Sequence, residues 1–166
     1  MTSLTSKLKA GKFIVTSELT PPKGTDLSRL FAKADMLAEC VDAFNLTDSH
    51  NSRMSLAPMA AAHLLLDRGV EPILQMTTRD RNQIALQGDM LAASSLGIEN
   101  VVCMGGDPPH LGDHPDAKGV YDLSTMDLIH AAKQLTKGAD LAGSKLDSNP
   151  AFNIGAVVNP GADDLD

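Results

Sequence analysis

Aromatic residues are nearly missing: 166 residues hold no tryptophan, one tyrosine and four phenylalanines. So few flat side chains offer no stacking platform for bases. The 14 basic residues are outnumbered by 21 acidic ones, for a net charge of −7, which leaves no broad cationic face for a phosphate backbone or an anionic bilayer. Neither nucleic acid nor a membrane is expected as a partner. Cysteine is scarce too. Cys40 and Cys103 have neither metal-ligand nor disulfide-framework spacing, so a reducing cytoplasm is the expected setting. The longest apolar run, Ala57 to Leu66, is interrupted by His63 and is too short to span a bilayer. The basic start "MTSLTSKLKAGK" lacks the apolar core of a secretion signal. What is present is an ordinary globular composition, 43% hydrophobic, sufficient for one domain with a real core.

Short apolar runs alternate with helical patterns along the chain. A strand over Lys12–Glu18 leads through "LTPPKGTD" into a helix "LSRLFAKADMLAEC", with Thr25 or Asp26 as its cap and Leu27, Leu30, Phe31, Ala34 and Leu37 at helical spacing. A strand "DAFNLT" follows. Next comes a helix "SLAPMAAAHLLLDRG" that tolerates Pro58 only near its start and stops at Gly69. A strand "PILQM", a helix from Asp80 through "NQIALQGDMLAASSLG" and a strand "NVVCM" come after. A Gly/Pro/His loop over 105–119, a helix around Thr125–Thr136 and a fifth strand "FNIGAVV" complete the series. Such alternation predicts right-handed crossovers and a parallel sheet.

Two architectures satisfy that pattern, an open doubly wound sheet and a (β/α)8 TIM barrel. The first strand–helix turn lacks G-x-G-x-x-G, which weakens the open sheet. Unusual residues recur at strand ends (Glu18, Thr47-Asp48, Gln75, Asp107, Asn159), as in barrels, where several strands feed one rim. The barrel is the expectation. A complete one takes about 250 residues, and this sequence supplies about five strand–helix units. Residues 1–166 are therefore expected to form a single incomplete domain, the N-terminal portion of a barrel, with a tendency to aggregate when alone.

Glu18, in "FIVTSELTPPKG", is the sharpest candidate for chemistry. A carboxyl at the mouth of a mostly apolar pocket is desolvated and becomes able to donate a proton near neutral pH. The plainer alternative is a solvated acid or an ion pair with Lys12 or Lys23. In "CMGGDPP", Gly105 and Gly106 permit close approach to a flat ligand, and the prolines aim Asp107; a simple tight turn uses the same residues. His110 and His114 beside Asp107, Asp113 and Asp116 invite a metal, but no helix fixes their spacing, so no metal site is expected. Arg79 and Arg81 stand near a helix start, where cations oppose the dipole. They need partners, either an anionic ligand group or neighbouring carboxylates.

"TSELTPPKG", "FNLTDS", "EPILQMTTRDRNQIALQGDML", "GIENVVCMGGDPP" and "IGAVVNPGA" occur in the order found in the methylenetetrahydrofolate reductase family. The resemblance spans about Leu8 to Asp166 and is to the branch carrying "RDRN" and "NPGA". It implies an eight-stranded barrel holding FAD at its C-terminal rim. The implied reaction is ping-pong: reducing equivalents from NAD(P)H or another donor pass by way of the flavin to methylenetetrahydrofolate. Glu18 falls on the family's general acid, whose proton opens the bridging ring of the folate. Asp107 falls on the acid beside flavin and pterin. Thr47 and Asp48 match contacts to flavin and nicotinamide. Gln75 stands where some members have a histidine, and Gly105, followed by Gly106, where some have an arginine. Tyr121, with Asp122 beside it, matches a tyrosine near the flavin, and Asn159 a residue of the strand-five loop. A homo-oligomer or an electron-transfer partner subunit is expected of the full-length protein. Two other readings stand beside this one: a pterin-binding methyltransferase or metal-dependent lyase on a similar barrel, and a non-catalytic barrel subunit.

Overall fold

The structure, a computed structural model, describes residues 3–158 and residue 161. The elements in chain order are α1 (Ser3–Lys9), β1 (Thr16–Leu19), α2 (Ser28–Leu37), β2 (Ala43–Leu46), α3 (Pro58–Leu66), β3 (Pro72–Thr77), α4 (Gln83–Ser95), β4 (Asn100–Met104), α5 (Thr125–Thr136) and β5 (Asn153–Ala156). Single 3-10 turns stand at His50–Ser52 and Pro109–Leu111. The five strands form one sheet in the order β1-β2-β3-β4-β5, every pair parallel. A doubly wound sheet reverses direction at a switch point; this one never does. Successive right-handed crossovers in one direction keep α2 to α5 on a single face.

One row of the sheet runs Leu19, Leu46, Leu74, Val101, Ile154 through successive register pairs. It packs with Leu30, Ala34, Ala61, Leu65, Leu86, Met90, Leu128 and Leu135 of the helices in the main core. The neighbouring positions fall on the other face: Glu18 beside Asn45 and Ile73, Gln75 beside Val102 and Gly155, Thr77 beside Met104. Each fully buried aliphatic of the main core contributes about 1.5–3 kcal/mol relative to exposure, which makes the helical face the source of the fold's stability.

The helix α1 was not expected from its basic sequence. It covers the N-terminal half of the second face, where Leu4, 5% exposed, packs with Ala43 and Ile73, and with Ile14 and Val102 at the margin. Its amide end is tied down: Leu4 N–H donates to Glu71 Oε2 at 3.0 Å, and Lys7 pairs with Asp42. A carboxylate at a helix N-terminus satisfies its orphan donors and its dipole together.

The strand over Lys12–Glu18 is shorter than expected, starting at Thr16, and Phe13 is 90% exposed. Asp26 does hold the start of α2, accepting from Ser28 N–H at 2.9 Å, although the position before the helix is Leu27. The cap of α4 is Asn82, whose Oδ1 accepts from Ile84 and Ala85 N–H; Asp80 is instead engaged by Arg79. The fourth strand and α5 fall at the expected residues, and α5 begins with a capping box between Ser124 and Asp127.

Candidate functional site

All five strands run the same way, so the segments following β1 to β4 emerge along one edge of the sheet. Glu18 lies within the last two residues of β1, Thr47-Asp48 directly follow β2, Gln75 is near the end of β3, and Gly105 to Asp107 directly follow β4. Glu18 and Asp107 therefore share the C-terminal rim, as the barrel reading requires. Asn159 lies outside the described residues.

On the second face, Glu18 and Gln75 meet over Asn45: Gln75 Nε2 donates to Glu18 Oε2 at 3.4 Å. Asn45 in turn donates to Thr16 Oγ1 at 3.3 Å. Glu18 is exposed, which corrects the expectation of a desolvated acid. The physical reason is coverage: α1 shields only the N-terminal half of this face, and none of the described residues roofs the half that bears Glu18.

Two of the cofactor candidates, Asp48 and Asp122, have carboxylates engaged by protein donors. Asp48, 8% exposed, accepts from Thr77 N–H at 2.8 Å and from Thr77 Oγ1 at 3.0 Å through the same Oδ2, and pairs there with Arg81. Asp122 accepts from Gln83 N–H at 2.8 Å and so helps start α4. Thr47 differs from both: it is 2% exposed, and its hydroxyl is buried without a partner among the described residues. A buried polar atom left unpaired is costly and calls for an explanation.

The loop bearing Asp107 is tightly built. Gly106 has φ +87°, and a Cβ there would lie 3.0 Å from the Thr77 side chain, so the chain passes over β3 at a closeness that only glycine allows. The Asp107 carboxyl is exposed while its carbonyl is held by Ser52 Oγ at 2.5 Å and Tyr121 OH at 3.3 Å. Tyr121, with φ 43°, gives the same hydroxyl to Gly106 O at 3.3 Å. Further along, Asp113 joins three loops: it pairs with Lys23, accepts from Met54 N–H at 3.0 Å, and contacts His114 Nδ1 at 2.8 Å. Those partners hold its carboxyl well below the usual carboxylate range, Lys23 most of all. A cleft of about 590 Å³ opens beside it, lined by Pro21, Lys23, His50, Arg53 and Met54 among others.

Both arginines of "TTRDRN" are paired with carboxylates: Arg79 with Asp80, and Arg81 with Asp48 and Asp89. The sequence signal, cations where the helix dipole disfavours them, pointed to partners but not to which ones. Ser52, which bridges the second and fourth rim loops, carries no signal in the sequence; nothing in "DSHNSRM" distinguishes it from any loop serine. Among the described residues no three His, Cys, Asp or Glu side chains gather as a metal site, and no helix is long and apolar enough to cross a membrane.

A comparison with curated proteins yields no match. A comparison with protein families matches residues 3–162 to methylenetetrahydrofolate reductase. The match covers nearly all of the sequence, and the chain belongs to the methylenetetrahydrofolate reductase family.

Proposed function

We propose that the protein reduces methylenetetrahydrofolate to methyltetrahydrofolate, with FAD as cofactor and NAD(P)H as electron donor, on an eight-stranded barrel to which the described residues contribute five strands and the helices that follow the first four. The observation that carries this reading is the juxtaposition of Glu18 and Gln75 on the uncovered rim, in a chain of this family. Sequential strands with every crossover helix on one face leave the other face free to become a barrel interior, with the ligand at its C-terminal rim.

The residues suit a flavin. Thr47 offers a buried hydroxyl without a protein partner at the end of β2, Gly106 keeps the β4 loop flat against β3, and Gln75 and Gly105 are only half-buried. Thr47, Gln75, Gly105, Gly106 and Tyr121 are the residues assigned to hold it, and Asp48 and Asp122 fix the backbone around them. When bound, FAD supplies the two-electron reducing equivalent that the folate receives. Glu18 delivers the proton that opens the bridging ring of the folate. Because Gln75 donates to Oε2, the acid proton is assigned to Oε1. Asp107, with its backbone immobilised and its carboxyl free, orients the pterin. Closure of the barrel would exclude water from the face that carries Glu18. The cytoplasm is the assigned compartment, and the full-length protein is expected to act as a homo-oligomer or with an electron-transfer subunit.

The test is the Glu18→Gln variant of the full-length protein, assayed for folate reduction and, separately, for reduction of bound flavin by the electron donor. The expected result is loss of folate reduction with flavin reduction retained. Unchanged folate turnover removes the role assigned to Glu18, and a colourless, folded full-length protein removes the flavin.

A further inference from the structure

Arg79 is 3% exposed, and its guanidinium touches three separate rim loops. Nε and Nη2 donate to Asp80 at 2.8 and 2.7 Å in the loop after β3. Nη1 donates to Ser52 Oγ at 3.0 Å and Ser49 O at 3.5 Å in the loop after β2, and to Asp107 O at 3.4 Å in the loop after β4. The Arg79 backbone takes part as well, its carbonyl accepting from Val120 N–H at 2.6 Å. A planar guanidinium presents its donors in a fixed fork, which suits it to hold several acceptors in one plane.

What it holds is strained. Ser49, Asn51 and Ser52 have φ of 51°, 52° and 54°, a conformation that non-glycine residues keep only where their surroundings over-determine it. The second and fourth loops are also in backbone contact, since a Cβ on Gly112 would come within 1.8 Å of Ser52 O.

We propose that Arg79, acting through Ser52, is a positioning residue: it locks the strained turn at 49–52 to the backbone of Asp107, so that the two loops move as one body and present the Asp107 carboxyl from a fixed point. The catalytic part of this inference rests on the reading of Asp107 given above; the mechanical part does not.

Two measurements on the full-length protein separate them. Hydrogen exchange is followed at the hydrogen-bonded amides of Arg53, Leu111 and Gly112 in the wild type, Ser52→Ala and Arg79→Lys. Acceleration of both loops together, by roughly 10-fold or more, with the amides of α5 unchanged, is the expected result. Acceleration of one loop alone, or of neither, overturns the coupling. Folate reduction is then measured for the same variants with and without Asp107→Asn. A fall of roughly 10-fold in kcat/KM for Ser52→Ala that disappears in the Asp107→Asn background is expected, since residues acting through one group are non-additive. An equal loss in both backgrounds overturns positioning through Asp107. Absence of reductase activity in the wild type would sink the functional reading while leaving the exchange result to decide the coupling. Arg79→Lys keeps the charge, and failure of Arg79→Lys to restore loop protection relative to Arg79→Met is expected, because ammonium lacks the fork.

Discussion

The two edges of the sheet are built on different principles. At the N-terminal edge, α1 lies over the strand starts, Leu4 is buried against Ala43 and Ile73, and Glu71 serves both the amide of Leu4 and the side chain of Asn100. Among the described residues the left-handed non-glycine positions lie at the opposite edge, as do the buried hydroxyl of Thr47, the buried Arg79 and the exposed Glu18 and Asp107. One edge is packed and satisfied; the other keeps strain and unpaired polar groups. In barrels the C-terminal face carries the chemistry and the N-terminal face the stability, and the contrast here follows that division within a single sheet.

Substitutions should break along the same line. Glu18→Gln at the rim should cut folate reduction by the full-length protein about 10²–10⁴-fold, the usual worth of a general acid, with the urea midpoint unmoved. Leu4→Ala should do the reverse, costing about 2–4 kcal/mol of stability by opening a cavity while kcat per folded molecule is retained; denaturation followed with the same activity assay checks both. Gly112→Ala tests the rim's mechanical rigidity. Its Cβ would meet Ser52 O at 1.8 Å, and a loss of about 1–3 kcal/mol is expected from the forced backbone shift.

Acid should reach the two edges through different carboxylates. Asp42 is held low first by its hydrogen bond from Lys7 and then by Val15 N–H at the N-terminal edge, and Asp113 by Lys23 and Met54 N–H at the rim. A carboxyl whose folded pKa is depressed stabilises the fold fully above its unfolded value and loses that contribution as the pH falls through the folded one. Stability should therefore decline as pH drops below about 3.8, and Asp42→Asn and Asp113→Asn should each make that decline shallower in urea titrations at several pH values. The smallest effect concerns the thiols. Cys40 is exposed, whereas Cys103 is buried in the main core, where desolvation pushes its pKa up to about 11. A thiol reagent at neutral pH should label Cys40 in the native protein and Cys103 only after unfolding, as read by mass spectrometry.

Much of the helical face was legible in the sequence because it depends on local periodicity. "NVVCM" can hardly be other than a buried strand, and Ser124 three residues ahead of Asp127 announces the start of α5. The short α1 was not legible: its stability comes from Leu4, Glu71 and Asp42, partners distant in the chain. The rim was half legible. Glu18 and Asp107 stand out because an acid beside prolines or glycines at a strand end is unusual, but the exposure of Glu18 depends on what roofs the face, which no local pattern encodes. A cation at the position of Arg79 calls for a partner, but its partners Asp80, Ser52 and Asp107 come from three different loops.

The sequence alone determined the alternation of strand and helix, the parallel sheet and the residues that can do acid chemistry, since these follow from side-chain period and residue type. Only the tertiary structure decided that the strands run in unbroken order, that Gln75 reaches Glu18, and that one buried guanidinium gathers three loops. Those are contacts between residues far apart in the chain, and they exist only once the sheet has brought the strand ends to a common edge.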